Sequence, residues 1–364
     1  MTIAEEHRYP CQQCGADLRF SPGQTGLKCD HCGFEQTIAA EADADAGPWD
    51  KPTKTKGFEE HPLAKGLSND LPATASTEVR VTKCTNCGAS VEFSGAIHAT
   101  ECPFCAGPIV VDTGAERKIK PQAVIPFALD EKSAHNAMVA WLGSLWFAPN
   151  RLVEFARTGR AMNGVYVPYW TFDADTQSQY TGAKGVHYYV KNKKKTRWSP
   201  ASGHVSRDFD DVLAIASTAL PAHLGEGLEP WDLAQLQPYK PNYLAGFQAE
   251  GYTVALADGN VTAKQKMASV IEQDVRHDIG GDAQRVDNVA TSYSAETFKH
   301  ILLPIWIAAY KYKAKTYRFL VNGQTGEVQG ERPYSVWKIT FAALGAAILA
   351  SAAYYLIQKF EQGG

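Results

Sequence analysis

Eight cysteines fall into two sets with one spacing. Cys84-Thr85-Asn86-Cys87 is followed by fourteen residues and then Cys102-Pro103-Phe104-Cys105; earlier, Cys11-Gln12-Gln13-Cys14 is followed by fourteen residues and Cys29-Asp30-His31-Cys32. A Cys-x2-Cys knuckle turns two thiolates toward one ion, and two knuckles supply four sulfurs at about 2.3 Å, the tetrahedral shell of Zn2+. The stretch between knuckles is slightly short for this pattern, which a tight hairpin tolerates.

The flanks repeat as well. Cys14-Gly15-Ala16-Asp17-Leu18-Arg19-Phe20-Ser21 aligns with Cys87-Gly88-Ala89-Ser90-Val91-Glu92-Phe93-Ser94, and Gly15, Gly33 and Gly88 stand where a thiolate-accepting turn needs positive φ. These residues imply a duplicated zinc ribbon. Cys11, Cys14, Cys29 and Cys32 would hold one Zn2+, and Cys84, Cys87, Cys102 and Cys105 the other. Four thiolates close the shell, so both ions read as structural, without the open position that catalysis requires. His31 and His98 read as loop surface residues. The competing use of eight cysteines is four disulfides, a habit of small secreted chains. This chain has 364 residues and opens Met-Thr-Ile-Ala-Glu-Glu-His-Arg, without an apolar leader segment.

Length allows about two or three domains. A composition of 45% hydrophobic and 21% charged residues is that of a globular protein, and a net charge of -3 gives no global attraction to polyanions. Reduced thiolates call for a reducing compartment.

The elements that carry the cysteines follow in order. Residues 8–38 form the first ribbon, and 80–113 the second. Between them, 39–79 is rich in Ala, Lys, Glu, Pro and Gly without a sustained period, and reads as a flexible linker. An α+β body, rich in strands, occupies 118–335. It begins with a short strand around Val124-Ile125-Pro126-Phe127. Asp130 is placed to cap a helix whose stripe is Ala134, Met138, Trp141, Leu142, Leu145 and Trp146. Strand sequence follows at 164–174, at 186–190 and at 210–216, with the basic hairpin tip Lys191-Asn192-Lys193-Lys194-Lys195-Thr196-Arg197 between the latter two. Such a tip could touch phosphates or acidic lipid, but it reads first as a solvated turn guarding a sheet edge.

A second helix is expected over 260–278, ended by Gly280-Gly281, with Asp274 and Asp278 on its polar rim. Leu303-Pro304-Ile305-Trp306 repeats the pattern of Val167-Pro168-Tyr169-Trp170, an internal strand repeat in which each proline would mark a strand start. A hairpin over 317–328 turns on Asn322-Gly323 and Thr325-Gly326.

The last stretch, 339–357, has no charge. At 1.5 Å per residue it reaches about 29 Å, near the thickness of a bilayer core. Trp337, Tyr354 and Tyr355 stand where interfacial aromatics belong, and Lys338 and Lys359 flank the span. The expectation is one transmembrane helix at 337–358 with a short tail, 359–364. Arg332 and Lys338 before the span, and the reduced cysteines, place the N-terminal bulk in the cytoplasm at the bacterial inner membrane, tail-anchored and single-pass.

Several of these stretches together carry a resemblance: the paired ribbons, Val167-Pro168-Tyr169-Trp170, Tyr243-Leu244-Ala245-Gly246-Phe247-Gln248-Ala249-Glu250, Leu303-Pro304-Ile305-Trp306, and Val321-Asn322-Gly323-Gln324-Thr325-Gly326-Glu327-Val328 leading to Gly330-Glu331-Arg332-Pro333-Tyr334-Ser335. The chain resembles the bacterial membrane-anchored zinc-ribbon proteins of the YdjG-like kind, often labelled TFIIB-type zinc-ribbon proteins or primosomal helicase relatives. The resemblance implies a non-enzymatic partner of phage-shock-protein-A-like, membrane-associated stress proteins, and carries no catalytic residue set. The helicase label has no support, because no Gly-x4-Gly-Lys-Ser/Thr phosphate loop is present.

The function expected is therefore a membrane-tethered adaptor that recruits or scaffolds peripheral stress-response proteins, with the ribbons on a linker reaching on the order of 35 Å. The alternative is nucleic-acid binding by the tethered ribbons. Residues 84–113 carry Glu92, Glu101 and Asp112 and no Lys or Arg, which is no phosphate-binding footprint. An enzyme is not expected: no nucleophile–base order or cofactor loop stands out, and His187, His204, His223, His277 and His300 read as surface or capping residues.

Overall fold

The computed structural model describes residues 9–38, 60–68, 70–92, 99–105, 108–110, 115–145, 162–312, 315–331 and 336–362. Strands β1 (Leu18–Phe20), β2 (Gly26–Cys29) and β3 (Glu35–Thr37) form the sheet of the first ribbon. Next come β4 (His61–Pro62), β5 (Ser76–Lys83), β6 (Ser90–Glu92), β7 (Ala99–Glu101), β8 (Pro108–Val110), β9 (Ala115–Ile119) and β10 (Ala123–Val124). Helix α1 (Glu131–Ser144) precedes two very long strands, β11 (Asn163–Val190) and β12 (Lys193–Ile215). After β13 (Gln237–Pro238) and β14 (Gln248–Glu250), helix α2 (Leu256–Ile279) leads into β15 (Ala283–Tyr312), β16 (Lys315–Asn322) and β17 (Val328–Gly330), and α3 (Val336–Gln362) ends the chain. This is an α+β protein with a large β-rich body.

One twelve-stranded sheet organises the molecule. Its path runs β13-β10-β15-β11-β14-β6-β5-β9, with β12 beside β11, β16 and β4 beside β15, and β17 beside β16. The antiparallel pair β11–β15 is its spine, in register from Asn163 opposite Ile307 to Gly185 opposite Ala283. The strand sequences that look separate at 164–174 and 186–190 belong to one strand. Bulges near Asp173 and at Thr181/Gly182 let it bend without breaking the ladder.

The proline expectation is corrected. Pro168 and Pro304 lie inside their strands, opposite Leu302 and Tyr166. On its other side β11 changes partner at Pro168, from β14 at Val165–Tyr166 to β12 at Tyr169 onward. Likewise β15 changes partner at Pro304, from β10 to β16. A residue without an N–H falls where no ladder bond is asked of it.

The repeat itself extends further than its four residues. The Ala216 amide donates to the Pro168 carbonyl, and the Ala216 carbonyl accepts from Thr253 and Val254 just before α2. The Gly323 amide donates to the Pro304 carbonyl, and the Gly323 carbonyl accepts from Ala128 and Leu129 just before α1. Trp170 Nε1 donates to the Val254 carbonyl at 3.1 Å, and Trp306 Nε1 to the Leu129 carbonyl at 2.9 Å. Two helix–strand–strand units thus face each other, each tryptophan docked on the approach to the other unit's helix.

Helix α1 starts at the Asp130 cap, whose carboxylate accepts from the Ser133 amide, and buries Ala134, Met138 and Leu142; Trp146 lies outside the described residues. Helix α2 begins four residues earlier than expected. Leu256 is buried in its first turn, and Gly259 is present because a Cβ there would lie 2.6 Å from Trp170. Met267, Ile271, Val275 and Ile279 face the sheet. Asp274 and Asp278 lie on the helix rim, half-buried and exposed respectively, and both are engaged there: Asp274 accepts from two N–H groups of Arg207 at 2.6 and 2.7 Å, and Asp278 accepts from Tyr180.

The linker expectation for 39–79 is corrected from Glu60 onward, and 39–59 lie outside the described residues. From Glu60 the chain is part of the body. β4 pairs with β15, and the helical turn Leu63–Leu67 packs so closely that a Cβ on Gly66 would meet Phe298 at 2.5 Å. Helix α3 holds Trp337, Phe341, Ile348 and Leu349 at 66–74% exposure. Among the described residues no helix is long and apolar enough to cross a membrane, the described side chains of α3 ending at Ala353.

Candidate metal centres and a buried ion cluster

Three knuckles share one backbone pattern. The amides of Gly15, Gly33 and Gly88 donate to the carbonyls of Cys11, Cys29 and Cys84, while the amides of these cysteines donate to Ala16, Phe34 and Ala89. Each glycine has φ between 76° and 78°, and a Cβ on it would touch nothing. Backbone conformation, and no lack of space, demands glycine there.

Within each set of four cysteines, all Sγ atoms lie within 4.8 Å of one another. Cys11–Cys32 and Cys14–Cys29 are 3.5 Å apart, Cys84–Cys105 3.7 Å and Cys87–Cys102 3.6 Å. A tetrahedron with 2.3 Å metal–sulfur bonds has edges of about 3.8 Å, and a disulfide would need about 2.05 Å. All eight thiols are free. Each cluster can therefore hold one metal ion, and His31, exposed, takes no part.

The centres differ in setting. Cys14 and Cys32 are exposed, whereas in the second cluster only Cys87 is not fully buried. There the hydrogen-bonded Cys102 thiol pulls Cys87 down to about 5, against the effect of burial, and Cys102 is pushed up in turn by Cys87 and by burial. Cys87 is thus the sulfur poised to lose its proton, and a cation bound by thiolates displaces protons as it enters.

Neither ribbon swings free. Cys11, Leu18, Phe20, Leu27 and Cys29 share a core with Val124, Phe127, Tyr166 and Trp306 on one face of the sheet. Cys84, Val91, Cys102, Phe104 and Cys105 share a core with Ile125, Val165, Val167 and Leu303 on the other. The period-two alternation of strands separates the two sets. Both ribbons grip one segment, 243–250. The Phe20 amide donates to the Ala245 carbonyl at 2.8 Å, and β6 pairs with Ala249 and Glu250.

Two buried polar groups escaped sequence reasoning. Lys299, 1% exposed, sends Nζ to Asp211 at 2.8 Å, Glu60 at 2.9 Å and Asp173 at 3.4 Å. Asp173, Asp210 and Asp211 could by themselves hold a cation; the lysine ammonium already stands beside Asp173 and Asp211. The bulge at Asp173 and the positive φ of Asp211 bring these carboxylates inward.

The second group lies beside the second metal centre. Glu250, fully buried, accepts from Ser217 Oγ at 2.8 Å, and burial raises it to about 8. His300 is buried rather than a surface residue. Its Nδ1 lies 2.9 Å from the Ile119 carbonyl, its ring packs on Trp170 and Tyr252, and burial lowers it to about 4. Lys118 Nζ reaches the Tyr252 carbonyl at 3.0 Å. These residues are scattered in sequence and only the sheet unites them.

No family model matches the chain, and no solved structure matches it. It is similar to the uncharacterized protein YdjG of Bacillus subtilis (strain 168), with 26% identity over 362 residues that cover 98% of each chain.

Proposed function

We propose that the protein is a non-catalytic, membrane-tethered scaffold at the cytoplasmic face of a bacterial inner membrane. In this reading the two four-cysteine centres each hold a structural Zn2+, which thiolate donors and sulfur spacing near a tetrahedral edge favour. The ions staple both faces of the sheet to the segment 243–250, so the recognition surface is one rigid assembly. The search by ribbons on a flexible tether gives way to this docked arrangement. Helix α3 is the bilayer anchor, with 339–357 as its apolar span, and the partner is a peripheral membrane stress or scaffold protein of the phage-shock-protein-A-like kind.

The observation that carries the reading is α3. Its 27 residues reach about 40 Å, and its large apolar side chains are uncovered among the described residues. A helix so exposed calls for lipid or a partner. Fractionation of cells producing the full chain or a chain lacking 336–362 tests it. The full chain should stay in the carbonate-washed membrane pellet and bring a crosslinked peripheral protein with it, resistant to nuclease. Equal membrane association of that protein without α3 would refute the tether.

A further inference from the structure

The far end of the β11–β12 hairpin has the most one-sided chemistry in the body. Residues 176–207 contain Lys184, Lys191, Lys193, Lys194, Lys195, Arg197 and Arg207 and no Asp or Glu, in a chain whose net charge is -3. The last partner that β15 offers is Ala283, opposite Gly185, and α2 ends at Ile279. Beyond that point 186–198 is a two-stranded ribbon, contacted at its base where Arg285 lies over the Trp198 ring at 5.9 Å and Asp282 accepts from the His187 amide, and largely exposed toward its tip. It turns on Lys191 and Asn192, both at positive φ, the geometry of a tight hairpin.

Cross-strand partners share a face. On one face Val186, Tyr188 and Val190 lie opposite Arg197, Lys195 and Lys193. An apolar column thus runs beside a basic one. On the other face Tyr189 lies opposite Lys194, then His187 opposite Thr196, with Trp198 two steps below Lys194 and opposite Gly185. Val186, Tyr188, Tyr189, Val190 and Trp198 are 39–71% exposed. Two carboxylates at the start of β15 are engaged, Asp282 by the His187 amide and Asp287 by Arg285. Among the described residues no carboxylate pairs with Lys191, Lys193, Lys194, Lys195 or Arg197.

Lysines at a sheet end guard against edge pairing, which accounts for the charge. It does not account for five exposed apolar and aromatic side chains among them. Tyrosine and tryptophan with basic neighbours suit the headgroup level of a bilayer, where the ring enters the acyl boundary and the ammonium meets phosphate. We propose that 186–198 is a membrane-contacting tip that binds anionic lipid. From Tyr169 to Val190 the arm extends about 70 Å, a reach that does not depend on how α3 is held.

The test is amide hydrogen exchange on the full-length protein in phosphatidylcholine bicelles and in bicelles doped with phosphatidylglycerol. Exchange in 186–198 should slow by about tenfold in the anionic bicelles. The difference should vanish in Lys193→Glu/Lys194→Glu/Lys195→Glu, while exchange at 165–172 reports an intact fold. Tyr188→Ser/Tyr189→Ser should leave protection at low salt and lose it at high salt. Equal exchange in the two bicelles, or protection that survives the triple charge reversal, overturns the proposal. So does equal protection by duplex nucleic acid added to the neutral bicelles, which would assign the tip to phosphate backbones in general.

Discussion

His300 has one ring nitrogen satisfied and one orphaned. A carbonyl only accepts, so Nδ1 carries the proton toward Ile119, and Nε2 is left without a partner among the described residues. Burial holds the folded pKa near 4, against about 6.5 in the unfolded chain. Between these values the unfolded chain binds a proton that the fold refuses. The stability that His300 contributes is therefore lost as pH falls from about 6.5 toward 4, by an amount on the order of 3 kcal/mol. His300→Asn retains a donor for Ile119 and should flatten this slope in urea titrations at about pH 5 and about pH 7. An unchanged slope would place the proton elsewhere. The metal centres predict a contrast of their own. Cys14→Ser and Cys102→Ser should each lower bound zinc from two equivalents to one, but the buried position of Cys102 should make its loss far more damaging to thermal stability. The cysteines were legible in sequence because each knuckle is local. Lys299 was not, because its partner Glu60 lies 239 residues away.

Helix α2 separates two kinds of contact on one surface. Ile271 is buried against the arm, and Ile271→Ala should cost about 2–4 kcal/mol through the cavity it leaves. The Arg207–Asp274 pair is bidentate but partly exposed, so Arg207→Ala should cost about 1 kcal/mol or less and lose its effect at high salt. Denaturation of both variants with and without added salt checks the ranking; a larger, salt-sensitive loss for Arg207 would reverse it. Helix identity and polarity were readable from period and caps. The length of the strands was not. Bulges and in-strand prolines resemble strand ends in a one-dimensional pattern, and only the change of neighbour at Pro168 and Pro304 shows why they leave the strand whole. Helix α2 likewise starts before residue 260, and Gly259 within it stands where Trp170 leaves no room for a Cβ.

At the scale of the molecule the two helix–strand–strand units are fastened through each other. Trp170→Phe removes the hydrogen bond to Val254, and Trp306→Phe that to Leu129. Each should lower one common thermal transition, read identically by tryptophan fluorescence and far-ultraviolet circular dichroism, because neither unit has a private core to melt. Two separate transitions would show that the units are independent. The exchanged docking also governs how the chain can be made. During synthesis from the N-terminus, the first ribbon is finished long before Ala245 exists to receive it. The approach to α1 waits for Trp306 and Gly323, and Glu60 waits for Lys299. Early segments must pass through the cell as unsatisfied surfaces, and closure comes almost as one event when the final strands arrive. The ribosome delivers this body as parts that cannot be tested until nearly the last one is in hand.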